Sequence, residues 1–416
     1  MSTTRAPATG ALLRGRPGRL LATAGCLAVL TVAGCSSPDR VTADRPEPAG
    51  RAAPEFVTDV TSPEVEDAVR VMLDRRARAR REGDATAWGA TVDVGASEGQ
   101  ATVFGQLIRL PLDRWAEELT SIRPGPGGSW RAEALVRYRF DGDRQDAIVR
   151  AVLDLSPGVL VRGSTTTPLP PWEIESVRAV SGDTSLVVGG AAPQVLRRYA
   201  DEADRAASSV GSLLDRPAPR VVLVVPADWD QAQRMVGAGV GRGLAAVTTS
   251  LEPADLPAGP VRVLADPGVL TGLDPQTRTA VLGHEAFHVA TAGLGVVPLW
   301  LSEGLADYAG YRESGIALER ASAGLQEQVR RYGVPAELPD DAAFGDAGRS
   351  TLAYEGAHVA VAMLVAEHGE GRIVSLYRRV AGDGPQSLDA ALRDVLGTDL
   401  SAVTAAWQAE VADAGN

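Results

Sequence analysis

The five residues His284-Glu285-Ala286-Phe287-His288 constrain this chain more than any others. Two histidines four positions apart share a face when the backbone is helical, where that spacing sets their imidazoles one turn apart. Such a pair suits two adjacent ligands of a tetrahedral zinc ion. Glu285, rotated by about 100° from His284, then stands beside the open coordination position rather than on the metal. The flanks agree with a helix. Thr277 to Leu282 and Val289-Ala290-Thr291 hold neither Gly nor Pro, and Gly293-Leu294-Gly295 ends the run. The chain has only 4 histidines in 416 residues, so half of them fall in this motif. The alternative is a helix that happens to carry two solvated or core histidines.

A second segment bears on that alternative. Trp300-Leu301-Ser302-Glu303-Gly304-Leu305-Ala306-Asp307-Tyr308 follows Pro298 and a Gly-rich link. It resembles the third-ligand helix of gluzincin metallopeptidases, in which a Trp-Leu-x-Glu-Gly-x-Ala pattern supplies a glutamate ligand. The resemblance implies that Glu303 joins His284 and His288 around Zn2+ as the cofactor, the His-His-Glu set of thermolysin-type enzymes. Glu285 would then be the general base acting on zinc-activated water. Asp307 lies four residues after Glu303 on the same helical face, placed to accept a hydrogen bond from a ligating imidazole and fix its tautomer.

A developing oxyanion needs a further donor. Tyr354, in Thr351 to His358 at the start of an expected helix, is the catalytic candidate. His358, one turn on, competes as a possible transition-state donor, and a packed Tyr with an ordinary helix His is the alternative. Only 14 residues separate His288 from Glu303, fewer than in thermolysin. This is similar to the compact peptidase MA-like gluzincins. No His-x-x-Gly-x-x-His extension follows His288, so the metzincin pattern is absent. Leu244 to Thr249 resembles the edge strand along which gluzincins align an extended peptide, with an interior strand as the alternative reading.

The first residues are of another kind. Arg5, Arg14, Arg16 and Arg19 precede an apolar run from Leu20 to Gly34. A membrane-spanning helix needs about 20 such residues, so residues 1–34 read as a signal peptide. Val32-Ala33-Gly34-Cys35 resembles a bacterial lipobox, which implies lipidation of Cys35 and an extracytoplasmic protein anchored to the cell membrane through that lipid. Without residues 1–34 the chain has 37 basic and 53 acidic residues, a net charge of −16. That surface disfavours nucleic acid and anionic membrane as partners. The two cysteines, Cys26 and Cys35, fall in the leader or at its end, so no disulfide is expected in the exported part.

The fold class expected is α+β. Residues 35–58, rich in Pro, Ala, Arg and Asp, read as a flexible tether. Over 59–180 a helix (Pro63 to about Glu82) precedes strand candidates at Thr102 to Leu112, Trp130 to Phe140, Ala147 to Leu155 and Val159 to Gly163. A helix followed by a curved antiparallel sheet resembles the nuclear-transport-factor-like cone, often a binding or scaffold module. Over 185–416 the resemblance implies a gluzincin-like domain with a small sheet and a mostly helical remainder. Gln194 to Leu214 and Trp229 to Met235 are helix candidates, Arg220 to Pro226 is a central strand candidate and Val261 to Leu264 another strand. Gly95-Ala96-Ser97-Glu98-Gly99 matches a nucleophile elbow in letters, but its context favours a hairpin turn. The alternating glycines of 237–243 do not fit a dinucleotide fingerprint and read as a loop.

Together these expectations describe a zinc metallopeptidase of the cell envelope with a peptide or protein as substrate. Absence of a recognisable acidic motif for a terminal amine leans towards an endopeptidase. Two alternatives stay open: a catalytically degenerate peptidase-fold binding module, and a zinc amidohydrolase acting on a non-protein envelope substrate.

Overall fold

A computed structural model describes residues 63–236, 244–252, 255–256 and 258–414. The expected signal peptide, Cys35, the tether and residues 237–243 lie outside the described residues.

Pro63 opens α1 (Pro63–Glu82) at a position where its missing N–H costs nothing. Glu64 and Glu66 sit in the first turn and Arg80 and Arg81 in the last, each favourably placed against the helix dipole. Val69, Met72, Leu73, Arg76 and Ala79 recur at helical spacing and are buried. The Asp84 carboxylate caps α2 (Ala85–Gly89) by accepting from the Thr86 and Ala87 N–H groups. Then comes α3 (Ser97–Leu107), where the structure corrects two expectations. The segment read as a strand from Thr102 is helical, because Gln100, Phe104 and Leu107 share a buried helical face and Phe104 packs 5.2 Å from Trp88. Gly95 to Gly99 is accordingly the entry to a helix and no hairpin turn, and Ser97 is exposed.

Four antiparallel strands follow in sheet order, β1 (Leu112–Pro124), β2 (Trp130–Phe140), β3 (Ala147–Leu155) and β4 (Val161–Thr167). Strand β1 was not foreseen as such, because its inward face carries a charge. Glu117 is buried there and accepts from Arg76 Nε at 2.7 Å. Gln100 also accepts from Arg76, whose guanidinium lies 3.8 Å from the Trp88 ring centre.

The second sheet has the order β5 (Arg178–Ser181), β6 (Ser185–Gly189), β7 (Val221–Val225), β9 (Val261–Ala265) and β8 (Ala246–Ser250). Strands β6, β7 and β9 are parallel and the outer two antiparallel. Strand β5 comes from the segment preceding residue 185 and pairs with β6 as a hairpin. The helix α4 (Pro193–Leu213) makes the crossover from β6 to β7, and α5 (Trp229–Val236) follows β7.

Alternation gives this sheet two apolar faces. Val187, Leu223, Val225, Val263 and Ala265 join the core of the helical layer. Leu186, Val188, Val222, Val224 and Leu264 meet Trp115, Tyr138 and Trp172 of the first module. A buried pair, Arg262 on β9 with Asp143 of the β2–β3 turn, fastens the two sheets. The first module thus covers the back of the sheet whose front carries the helices.

Those helices are α6 (Pro267–Gly272), α7 (Pro275–Thr291), α8 (Leu299–Ser314), α9 (Leu318–Ala321), α10 (Ala323–Tyr332), α11 (Asp341–Gly345), α12 (Ser350–His368), α13 (Glu370–Asp383), α14 (Leu388–Leu396) and α15 (Leu400–Ala414). The expected α+β class, with a mostly helical C-terminal part, is what the structure has.

One contact ties the central helix down. Arg278 on α7 donates to both carboxylate oxygens of Glu202 on α4, at 2.6 and 2.8 Å, and to the Leu273 carbonyl at 2.9 Å. Both charged side chains are about 95% buried, so removing one strands the other in a dry interior. Glu202→Ala is expected to cost about 3–5 kcal/mol in denaturant unfolding. A loss below about 1 kcal/mol, the range of an exposed pair, would contradict this placement.

Candidate metal centre

Asp274 starts α7 by accepting from the N–H groups of Gln276 and Thr277, and Pro275 fills the first helical position. From Ala280 to His288 every residue is buried, which a helix tolerates only between other layers. One side meets the sheet and the other meets α8, and α8 comes unusually close. A Cβ built on Gly310 would lie 2.2 Å from the Ala280 carbonyl oxygen, and one on Gly283 would lie 2.7 Å from the Gly310 Cα. Two glycines facing each other let the helix axes approach and bring Glu303 to the histidine face.

The result is a triangle of ligand atoms. His284 Nε2 and His288 Nε2 are 3.0 Å apart, and each is 3.3 Å from Glu303 Oε2. The edge of a tetrahedron with metal bonds of about 2.0–2.1 Å is about 3.3 Å. All three side chains are buried. Asp307 Oδ1 is 2.8 Å from His284 Nδ1. A carboxylate here only accepts, so in the neutral imidazole the proton sits on Nδ1 and the Nε2 lone pair faces the triangle. Both Glu303 oxygens lack a hydrogen-bond partner among the described residues. Apposed acceptors with no donor between them fit a cation.

The electrostatics agree. Burial disfavours charge on His284, yet Asp307 and Glu303 outweigh it and lift its pKa to about 10. Burial would raise that of Glu303, but His288 and His284 bring it down to about 2. Without a metal the cluster favours a proton on His284 beside the Glu303 carboxylate, and a cation bound there would displace that proton. His284, His288 and Glu303 form a possible metal site, and their donor set matches zinc.

Glu285 is fully buried and takes no place in the triangle. Burial pushes its carboxyl above the usual range, opposed by His284 and His288. Its Oε2 accepts from Thr248 Oγ1 at 2.6 Å, while Oε1 has no hydrogen-bond partner among the described residues.

The two candidate donors separate in space. Tyr354 is 3% exposed, its ring centre 6.4 Å from that of His284 and 5.1 Å from Phe344. His358 instead stacks on Tyr311 of α8 at 4.6 Å and 16°, two turns beyond Glu303. Of the two, Tyr354 borders the ligand set. Burial lowers the pKa of His358, opposed by Asp307. Its unfolded form takes a proton near pH 6.5, so the contribution of His358 to stability should be complete above about 6.5 and fall as the pH drops towards the folded value. Melting between pH 5 and 7 checks this. His358→Gln should flatten the profile, and an unchanged slope would refute the assignment.

Three features escaped the sequence reading. Thr248, on the edge strand β8, holds the Glu285 carboxylate. Tyr377 of α13 lies beside the Thr291 and Ser302 side chains, where α7 ends and α8 begins. The third is the glycine contact. A threonine in an apolar strand was the one visible signal among them.

No family model matches the chain and no curated protein matches it. Among the solved structures similar to it are two of a glutamate-to-alanine mutant of a two-domain M1 zinc metallopeptidase, one bound to L-arginine and one to L-tryptophan. Each is 14% identical over 69% of this chain, with TM-scores of 0.36 and 0.35. The chain covers 61% of those chains, less than two thirds of their length.

Proposed function

We propose that this chain is a gluzincin-type zinc metallopeptidase that hydrolyses peptide bonds outside the cytoplasmic membrane, where a lipid on Cys35 anchors it. The observation that carries the reading is the triangle of His284, His288 and Glu303 with Glu285 beside it and Asp307 behind it. A zinc ion held there supplies a Lewis acid and lowers the pKa of a coordinated water towards about 7.

The chain's own residues do the rest. Glu285 takes the proton from the attacking water and delivers it to the leaving amine. Its raised affinity for a proton, caused by burial, suits that shuttle. Asp307 keeps the His284 proton on Nδ1. Tyr354, beside His284, is the donor assigned to the developing oxyanion. Strand β8 ends the sheet among the described residues, and an extended peptide adds to such an edge through backbone hydrogen bonds. That edge position favours a peptide over a non-protein amide, and the presence of Glu285 as a base argues against a degenerate binding module.

The test is digestion of a peptide library by the purified protein, before and after chelation and with zinc restored. Cleavage that disappears on chelation and returns with zinc is expected. Bound zinc without cleavage of any peptide would redirect the reading to a non-protein amide. For the anchor, Cys35→Ser should release the protein from the membrane fraction; a variant that still sediments with membrane would refute lipidation there. No helix among the described residues is long and apolar enough to cross a membrane.

A further inference from the structure

Strand β8 packs one face on α7 and the other on the first module. Ala246 belongs to the core of the helical layer and Val247 to the core shared by the two sheets, so Thr248 returns to the α7 side. That side calls for an apolar residue, and valine has the same shape as threonine. A hydroxyl that is 8% exposed destabilises the fold unless it is bonded. Thr248 Oγ1 has two acceptors in reach, both on Glu285: the carboxylate Oε2 at 2.6 Å and the main-chain oxygen at 3.2 Å. A hydroxyl has one proton to donate. The shorter contact falls in the range of a charge-assisted O–H···O− bond, so the carboxylate receives it.

Resting on the peptidase reading above, we infer that Thr248 is a positioning residue for Glu285. Its hydroxyl occupies Oε2 and fixes the side-chain rotamer, leaving Oε1, which has no hydrogen-bond partner among the described residues, as the oxygen available to the reacting water. The strand proposed to align the substrate backbone thus also holds the base, so one element sets the position of both. Nothing in the zinc ligand set requires a hydroxyl at this place.

The test compares Thr248→Val, which keeps shape and loses the hydroxyl, with Thr248→Ser, which keeps the hydroxyl. Thr248→Val is expected to retain bound zinc and KM while kcat falls about 10- to 100-fold, the usual effect of losing an outer-shell partner. Thr248→Ser should restore kcat to within a few-fold of the parent. A valine variant with the parental kcat, or a serine variant as impaired as valine, overturns the assignment. So does loss of zinc in Thr248→Val, which would mark a merely structural role.

A second readout needs no turnover. In metal-free protein, Thr248→Val should lower the Tm by a few degrees when Glu285 is present and change it little in a Glu285→Ala background. Additive melting shifts would remove the contact and the inference with it. Non-additive shifts, in a protein that shows no Glu285-dependent cleavage, would keep the contact but overturn its catalytic role together with the peptidase reading. The two failures are therefore distinguishable.

Discussion

Glu285→Gln is expected to keep its zinc and lose about 100- to 10,000-fold of kcat, the range that a positioned acid–base group contributes. The expectation follows from where the side chain is. Glu285 is fully buried and outside the triangle of ligand atoms, so the metal does not depend on it. Glutamine has the same length and its amide oxygen still accepts from Thr248 Oγ1, so the local packing is kept. What the amide lacks is the ability to take a proton and give it back. KM should stay near the parental value, because the lost interaction belongs to the transition state. Steady-state kinetics with metal analysis on the same preparation measures both halves. Parental turnover in the variant would remove Glu285 as the base, and loss of zinc would mean it belongs to the ligand set.

Gly310→Ala should also have a large effect, although it touches neither metal nor substrate. The new Cβ would sit 2.2 Å from the Ala280 carbonyl oxygen and 3.0 Å from its carbon, far inside van der Waals contact with a backbone that cannot swing aside. Helices α7 and α8 must part or bend. Overpacking of this kind costs about 1–3 kcal/mol or more. Parting them also widens the gap between Glu303 on α8 and the two histidines on α7. A misplaced ligand should weaken zinc binding at least as much as a lost outer-shell contact, about 10- to 100-fold. Zinc titration against a competing chelator, with a melting curve on the same sample, tests both consequences. If Gly310→Ala binds zinc as the parent does, the glycine contact does not set the ligand triangle.

How far the sequence foretold this arrangement depends on the kind of contact. His284, Glu285 and His288 were legible because helical spacing alone decides which side chains share a face. Glu303 and Asp307 were legible through a local pattern around one helix. The apolar runs at Val221 to Val225 and Val261 to Ala265 announced buried strands. Of Leu244 to Thr249, Ala246 to Thr249 lie in β8, which ends its sheet among the described residues.

Contacts between distant elements were not legible. The bond from Thr248 to Glu285 spans 37 positions, and nothing in either segment names the other. The facing pair Gly283 and Gly310 reads as two ordinary helix glycines until the helices are packed. Strand β1 hid because Glu117 faces inward to meet Arg76, breaking the alternation that marks a strand. Helix α3 was mistaken for a strand because Ile108, Leu110 and Leu112 alternate with Arg109 and Pro111 in the same run, while the buried set, Gln100, Phe104 and Leu107, follows helical spacing. Each miss is a tertiary contact overriding a local signal.

The central claim is that His284, His288 and Glu303 together hold a zinc ion. Equilibrium zinc titration of the purified protein, with the metal counted per chain, tests it most directly against Glu303→Ala. About one zinc per chain is expected in the parent, with affinity collapsing in the variant. A parent that takes up no zinc, or a variant that holds it as tightly as the parent, would contradict the account.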